Sequence, residues 1–308
     1  MKHVMTIIVD PTAPSPEDIS YSDLIDFADS YIEICAGKVR SVATLSKDEA
    51  SDIFFSISQE GLDRLHAILI ERNYTSRCDW FIQPDSEGRK KRLLIADMDS
   101  TMIQVECIDE LADFAGIRDR VEAITEAAMR GELDFDQALT ERVALLKGMD
   151  TDVLQQCFDE RVKYTRGARS LVRTMAREGA ITALVSGGFT FFTARVSEWL
   201  GFEINKANFL GEQDGQLSGE VVGEIVNAET KREMLEELAT NNGIEHADIM
   251  AVGDGANDIP MIMAAGIGAA FHAKPKAAEA ADFAINHGDL SALLFMQGYQ
   301  RTDFEPDQ

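Results

Sequence analysis

The chain has 308 residues, 45% hydrophobic and 27% charged, the make-up of a globular protein with room for about two domains. Its formal net charge of −25 excludes nucleic acid and anionic membrane as natural partners, and it obliges any anionic substrate to find a locally cationic site. Cys35, Cys78, Cys107 and Cys157 form no C-x-x-C pair, Asp10 and Pro11 interrupt the first apolar run, and no stretch reaches the ~18 apolar residues of a membrane span. A cytoplasmic protein with reduced thiols and no signal peptide is expected.

Residues 1–82 read as βαββαβ. Val4–Val9 is a strand, and Tyr21–Cys35 is a helix through Leu24, Ile25, Ala28 and Ile32. Val39–Leu45 and Asp52–Ile57 are strands, Gly61–Glu71 is a helix, and Cys78–Ile82 is the last strand. That order builds a small ferredoxin-like sandwich. Gln83–Arg92 (QPDSEGRKKR) is polar and reads as a solvated linker.

Residues 93–308 alternate strands and helices, the signature of a parallel sheet. The strand candidates are Leu93–Ala96, Ala180–Val185, Asp248–Val252 and Gly268–Ala270. The helical stretch between the first two, about residues 108–160, exceeds the dozen or so residues of a simple crossover and reads as an inserted cap. Phe202–Val222 has the turn chemistry of a β-hairpin beside the sheet. The fold class expected is α/β: a Rossmann-like parallel core with an inserted helical cap, behind a ferredoxin-like domain.

Four features fall where such a sheet binds ligands, outside the carboxyl ends of its strands. RLLIADMDST ends an apolar run in Asp97 and Asp99, with Thr101 following; two carboxylates so close require a proton or a cation between them. Ser186, Gly187 and Gly188 end the next strand, Lys231 opens a later helix, and Asp254, Asn257 and Asp258 follow another strand in GDGANDIPM. A lysine on a helix face or a lone strand-end aspartate says little; together and in this order they fit phosphoryl transfer through a carboxylate. Mg²⁺ suits an oxygen cluster such as Asp97, Asp99 and Asp254. Ser186 and the Gly187 amide can donate to phosphate oxygens, Lys231 can supply positive charge, and Asp99 can shuttle a proton.

This set of motifs resembles that of the haloacid dehalogenase-like phosphatases from Leu93 to about Asp289. The resemblance implies Asp97 as nucleophile and Asp99 as general acid and base. It implies Mg²⁺ held by Asp97, the Asp99 carbonyl and Asp254, with Asn257 and Asp258 orienting the metal shell and the phosphate-side network, and Lys231 bridging nucleophile and phosphate. Glu106, Phe135 and Arg142 also resemble the pattern of the phosphoserine phosphatase family, Phe135 and Arg142 lying two helical turns apart on one face. That implies O-phosphoserine as the small-molecule substrate: Glu106 reads its ammonium, Arg142 its carboxylate, and Phe135 closes over it. Another small phosphorylated amino acid, or a phosphotransfer role, is the alternative enzyme reading. The first domain loosely resembles ACT-like domains, but its first strand-to-helix connection, DPTAPSPEDIS, lacks glycine. A structural or dimerising role, through a homodimer at this domain, is expected ahead of amino-acid sensing.

Overall fold

The computed structural model describes residues 1–10, 20–72 and 78–307. Most of the connection DPTAPSPEDIS therefore lies outside the described residues. The first domain comprises β1 (Lys2–Val9), α1 (Tyr21–Ile34), β2 (Lys38–Ser46), β3 (Ala50–Ser56), α2 (Gln59–Arg72) and β4 (Cys78–Pro84). Its antiparallel sheet has the order β2-β3-β1-β4, as a ferredoxin-like sandwich requires. β1 is buried along nearly its whole length because both faces of the sheet are covered. Met5, Ile7 and Val9 pack with Leu24, Ala28 and Ile32 of α1 and Leu65 of α2, while Ile8 and Phe81 pack with residues of the second domain.

The second domain follows as β5 (Leu93–Ala96), α3 (Cys107–Phe114), α4 (Arg118–Met129), α5 (Phe135–Ala144), α6 (Asp152–Arg161), α7 (Ala168–Arg177), β6 (Ile181–Phe189) and α8 (Thr190–Leu200). It continues with β7 (Ile204–Gln213), β8 (Gln216–Val222), α9 (Ala228–Asn242), β9 (Ile249–Gly253), α10 (Ile259–Ala264), β10 (Ile267–Phe271), α11 (Pro275–Ala280), β11 (Phe283–Ile285) and α12 (Ala292–Met296). The sheet order is β11-β10-β9-β5-β6-β7-β8, parallel except for β8. The chain winds outward from β5 to one edge and then returns to build the other. β5, fully buried between β6 and β9, is the switch point at which such sheets open a ligand crevice.

The hairpin expected over Phe202–Val222 is an integral edge of this sheet. It turns at Asp214 and Gly215, both with positive φ, the backbone that a tight two-residue hairpin needs. β11 is a strand that the sequence reading does not contain, because three residues are too few to show a period. The long helical stretch is α3–α6. The cap leaves and rejoins the core beside a bridge between Ile103 and Tyr164, and it also leans on the hairpin, where the Leu217 amide donates to Met149 O at 2.8 Å.

The polar segment after β4 is less solvated than its composition implies. Lys91 is buried and donates to Ala247 O at 2.7 Å. Arg89 forks onto the buried Asp52 carboxylate at 2.7 and 3.2 Å and donates to Met296 O at 3.0 Å. Thr6, paired with Asp52 across β1 and β3, donates to the same carboxylate at 2.7 Å. Asp79 of β4 is also buried and accepts from the amides of Asn286, His287 and Gly288. The two domains are thus joined by paired buried charges as well as by apolar contacts such as Phe81 on Phe283, with ring centroids 5.3 Å apart.

Removing one partner of a buried ion pair strands the other charge, at about 3–5 kcal/mol. Asp52→Ala is therefore expected to lower the urea midpoint by the equivalent of about 3 kcal/mol. An unchanged midpoint would show that Arg89 finds water in place of its partner.

Candidate active site

β5 delivers Asp97 to the crevice, and the Asp97 amide still bonds Val252 O of β9 at 3.0 Å. Beyond it the chain makes one wide turn, closed by the Ile103 amide on Met98 O at 3.0 Å. Ser100 sits in that turn at φ 54°, a left-handed conformation that a non-glycine residue adopts at a cost. The turn brings Asp99 back toward α3 and β6. Asp99 Oδ1 accepts the Cys107 amide at 3.1 Å, and Asp99 Oδ2 faces the Ser186 hydroxyl at 3.4 Å.

Lys231 lies beneath the crevice, fully buried. Its Nζ is 2.7 Å from Asp97 Oδ1 and 2.7 Å from Asp258 Oδ1. Asp97 Oδ1 also takes the Met98 amide at 2.7 Å, so this oxygen is fully engaged. Asp258 spends its other oxygen on the amides of Asp254 and Gly255 at 3.2 and 3.0 Å, fixing the loop after β9. Burial opposes the Lys231 ammonium, yet Asp258 and Asp97 hold its pKa above the ordinary value. Burial drives the Asp97 carboxyl well above its usual range, the Asp258 charge pushes the same way, and Lys231 opposes both.

Asp99 is raised to about 7, first by burial and then by the Glu106 charge. Asp254 is raised to about 6 by burial, with Lys274 holding it down. Carboxylate oxygens of Asp97, Asp254 and Asp258 lie within 4.8 Å of one another. Three clustered carboxylates against one buried ammonium leave negative charge uncompensated, which is the donor chemistry of a hard divalent cation.

Asp97, Asp99, Glu106, Phe135, Arg142, Ser186, Gly187, Gly188, Asp254 and Asn257 line one cavity of about 120 Å³. Lys231 and Asp258 support it from below. Thr101 does not line it: its side chain is buried and its hydroxyl has no partner among the described residues. The glycines of β6 are there for space. A Cβ on Gly188 would stand 2.5 Å from Asp99 Oδ2, and one on Gly187 would stand 2.8 Å from the Phe135 ring.

Glu106 precedes α3 and accepts from Ser100 Oγ at 2.7 Å. α5 starts on a capping box made by Asp134 and Gln137, which sets Phe135 in its first turn and Arg142 in its last. Arg142 donates from Nε to Ala138 O at 3.2 Å and makes no ion pair among the described residues. Burial lowers its pKa, and Asp109 and Glu106 oppose that shift. A half-buried guanidinium without a carboxylate partner is a prepared anion site.

Sequence reasoning missed four contributors. Lys274 reaches into the cavity 3.5 Å from Asp254 Oδ2. Ser100 orients Glu106. Asn208 donates to Gly187 O at 2.8 Å and accepts the Val226 amide at 2.8 Å, holding the phosphate-side loop in shape. Asn227 caps α9, the helix that carries Lys231. Only Asn227 left a local signal, as an N-cap residue with Glu229 behind it.

The family model of haloacid dehalogenase-like hydrolases matches residues 94–263. A phosphoserine phosphatase of Archaeoglobus fulgidus is 46% identical over 216 residues, 70% of this chain and 62% of that protein, so the match spans less than two thirds of that relative's length. A phosphoserine phosphatase of Polaromonas sp. is 45% identical over 68% of this chain and 92% of its own length. Among solved structures, a haloacid dehalogenase family hydrolase of Salmonella enterica serovar Typhi superposes with a TM-score of 0.80 at 28% identity, covering 96% of this chain and 98% of that one. A probable phosphoserine phosphatase of Vibrio cholerae gives 0.72 at 31% identity, covering 98% and 88%. This chain belongs to the haloacid dehalogenase-like hydrolases and, among them, to the phosphoserine phosphatase family.

Proposed function

We propose that the protein hydrolyses O-phospho-L-serine to L-serine and phosphate through an aspartyl-phosphate. The observation that carries this reading is the meeting, in one small cavity, of the strand-end carboxylates with a guanidinium that makes no ion pair among the described residues and a carboxylate held by Ser100. Arg142 takes the substrate carboxylate and Glu106 its ammonium, which leaves the phosphoryl group over Asp97. Phe135 closes the apolar side.

Asp97 Oδ1 is held by Lys231 and the Met98 amide, so Oδ2 is the attacking atom. The Oδ2–P bond forms as the ester P–O bond breaks, and the departing serine oxygen takes the proton of Asp99. A carboxyl whose pKa lies at about 7 is well matched to give that proton near neutrality. Asp99 then removes a proton from water as the water oxygen attacks phosphorus. The acyl-phosphate bond breaks, and Asp97 and phosphate are released. Ser186, Gly187 and Lys231 hold the phosphoryl oxygens.

Mg²⁺ is the cofactor of this reading. Asp97 and Asp254 offer side-chain oxygens and Asp99 its main-chain carbonyl. Asp258, both of whose oxygens are engaged, buttresses the set. When bound, the ion supplies positive charge to the phosphoryl oxygens. The N-terminal domain is assigned a structural role, and β2, at the edge of its sheet with Val42 exposed, is the surface on which a second copy would pair. The same reading expects the protein to act in the cytoplasm.

Phosphate release from O-phospho-L-serine, measured beside phosphothreonine and p-nitrophenyl phosphate with and without Mg²⁺, tests the assignment; a Mg²⁺-dependent preference for phosphoserine is expected, and activity on the aryl ester alone would remove the roles of Glu106 and Arg142. Asp97→Asn should lower kcat on the order of 10⁴-fold or more, as loss of a nucleophile does. Arg142→Ala should cost about 10²-fold in kcat/KM for phosphoserine, the worth of one strong charge-assisted contact, and leave p-nitrophenyl phosphate within a few-fold. Gly188→Ala should fold normally yet lose about 10²-fold in kcat, because its Cβ displaces the Asp99 carboxylate. A near-normal rate for that variant would detach Asp99 from proton transfer.

A further inference from the structure

The first turn of α5 meets the core at two points. The Phe135 ring lies against Gly187, and the next residue, Asp136, accepts from Asn227 Nδ2 at 3.1 Å through Oδ1, with Oδ2 at 3.4 Å. Asn227 has no other orientation available. Its Oδ1 accepts the amides of Glu229 and Thr230 at 3.1 and 3.2 Å, and backbone amides can only donate. Its amide nitrogen is therefore directed outward at the cap. Its main-chain carbonyl accepts the Lys231 amide at 3.1 Å, so the residue that meets the cap also starts the helical turn carrying the buried lysine. Asn208 ties the two landing points together by holding Gly187 O and the Val226 amide.

We propose that Asp136 and Asn227 form a latch that holds the cap closed over the cavity, and that both are positioning residues for the reaction. The latch is a single charge-assisted hydrogen bond at a partly buried seam. Its loss lowers the fraction of molecules in the closed, substrate-competent state. Apparent affinity falls in proportion to that fraction, whereas turnover at saturation is little changed.

Chemistry supplies a clean test. Asn227→Asp keeps an N-cap acceptor, which aspartate provides as well as asparagine, so α9 should persist. It replaces the latch donor with a second carboxylate facing Asp136. The combination Asp136→Asn with Asn227→Asp restores one donor and one acceptor with their places exchanged. Asn227→Asp is expected to raise KM for phosphoserine about tenfold, the worth of one hydrogen bond to a charged group, with kcat within about twofold. Hydrogen exchange of the α5 amides should speed up in the same variant, and both changes should reverse in the double variant.

The KM arm rests on the phosphoserine reading. The exchange arm does not, and it decides the latch even if phosphoserine is not turned over. Unchanged exchange in Asn227→Asp, or a defect that the double variant fails to repair, would overturn the proposal. A fall in kcat with KM unchanged would also overturn it, by placing the effect on Lys231 and not on the cap.

Discussion

The Lys231 ammonium, buried between Asp97 and Asp258, is the interaction on which the site depends. Taking a charge out of water costs several kcal/mol per ion, and only near-ideal partners offset it. Two carboxylates at 2.7 Å do so, and they come from two adjacent strand ends at the sheet's switch point, after β5 and after β9. α9 must therefore begin at that point, which is why its N-cap is satisfied so completely. The same arrangement leaves a net negative charge that a divalent cation would complete. Within a chain of net charge −25, a dianionic phosphate ester can be recruited only where positive charge is concentrated, and fixed charges in a site that excludes water act far more strongly than they would at the surface.

The N-terminal domain bears on the same region by contact. Asp79 grips the amides of residues 286–288, and Gly288 O in turn lies 3.0 Å from His272 Nε2. Two residues on, the Lys274 amide donates to Asp254 O at 2.9 Å. Burial raises the Asp79 carboxyl, and the three amides oppose it, so the domain contact is paid back in hydrogen bonds by the loop it orders. A covering domain that only shielded apolar surface would not need a buried carboxylate there.

The legible part of this protein is what its chemistry keeps local. Asp97, Asp99 and Thr101 fall within five residues of one strand end, and Ser186, Gly187 and Gly188 are consecutive. The alternation of strands and helices and the cap followed from periodicity and from the length of the segment between β5 and β6, whereas the order of the strands in the sheet came only with the structure. What stayed hidden depends on residues far apart in the chain. Asp136 and Asn227 are 91 residues apart, and Arg89 and Met296 are 207 apart. Arg89 and Lys91 look like part of a solvated basic run until the partners that bury them are known. Thr101, named only as a residue supporting that motif, lies behind the cavity wall with its hydroxyl unpartnered among the described residues.

Substrate choice in this arrangement follows from charge pattern more than from shape. A cavity of about 120 Å³ offers little apolar area for discrimination. It does present a guanidinium that makes no ion pair among the described residues and a carboxylate oriented by Ser100, and the proposed reading sets the phosphoryl group over Asp97. A ligand satisfies all of these only if it carries a carboxylate, an ammonium and a phosphate on a short skeleton. A ligand lacking either of the first two leaves a desolvated charge unmatched, and that penalty, not the loss of an attraction, supplies the selectivity. Closure of α5 over the cavity sharpens the penalty, because water that could solvate the unmatched charge is then excluded. Selectivity and cap closure are on this account one property, written in the two turns of helix that separate Phe135 from Arg142.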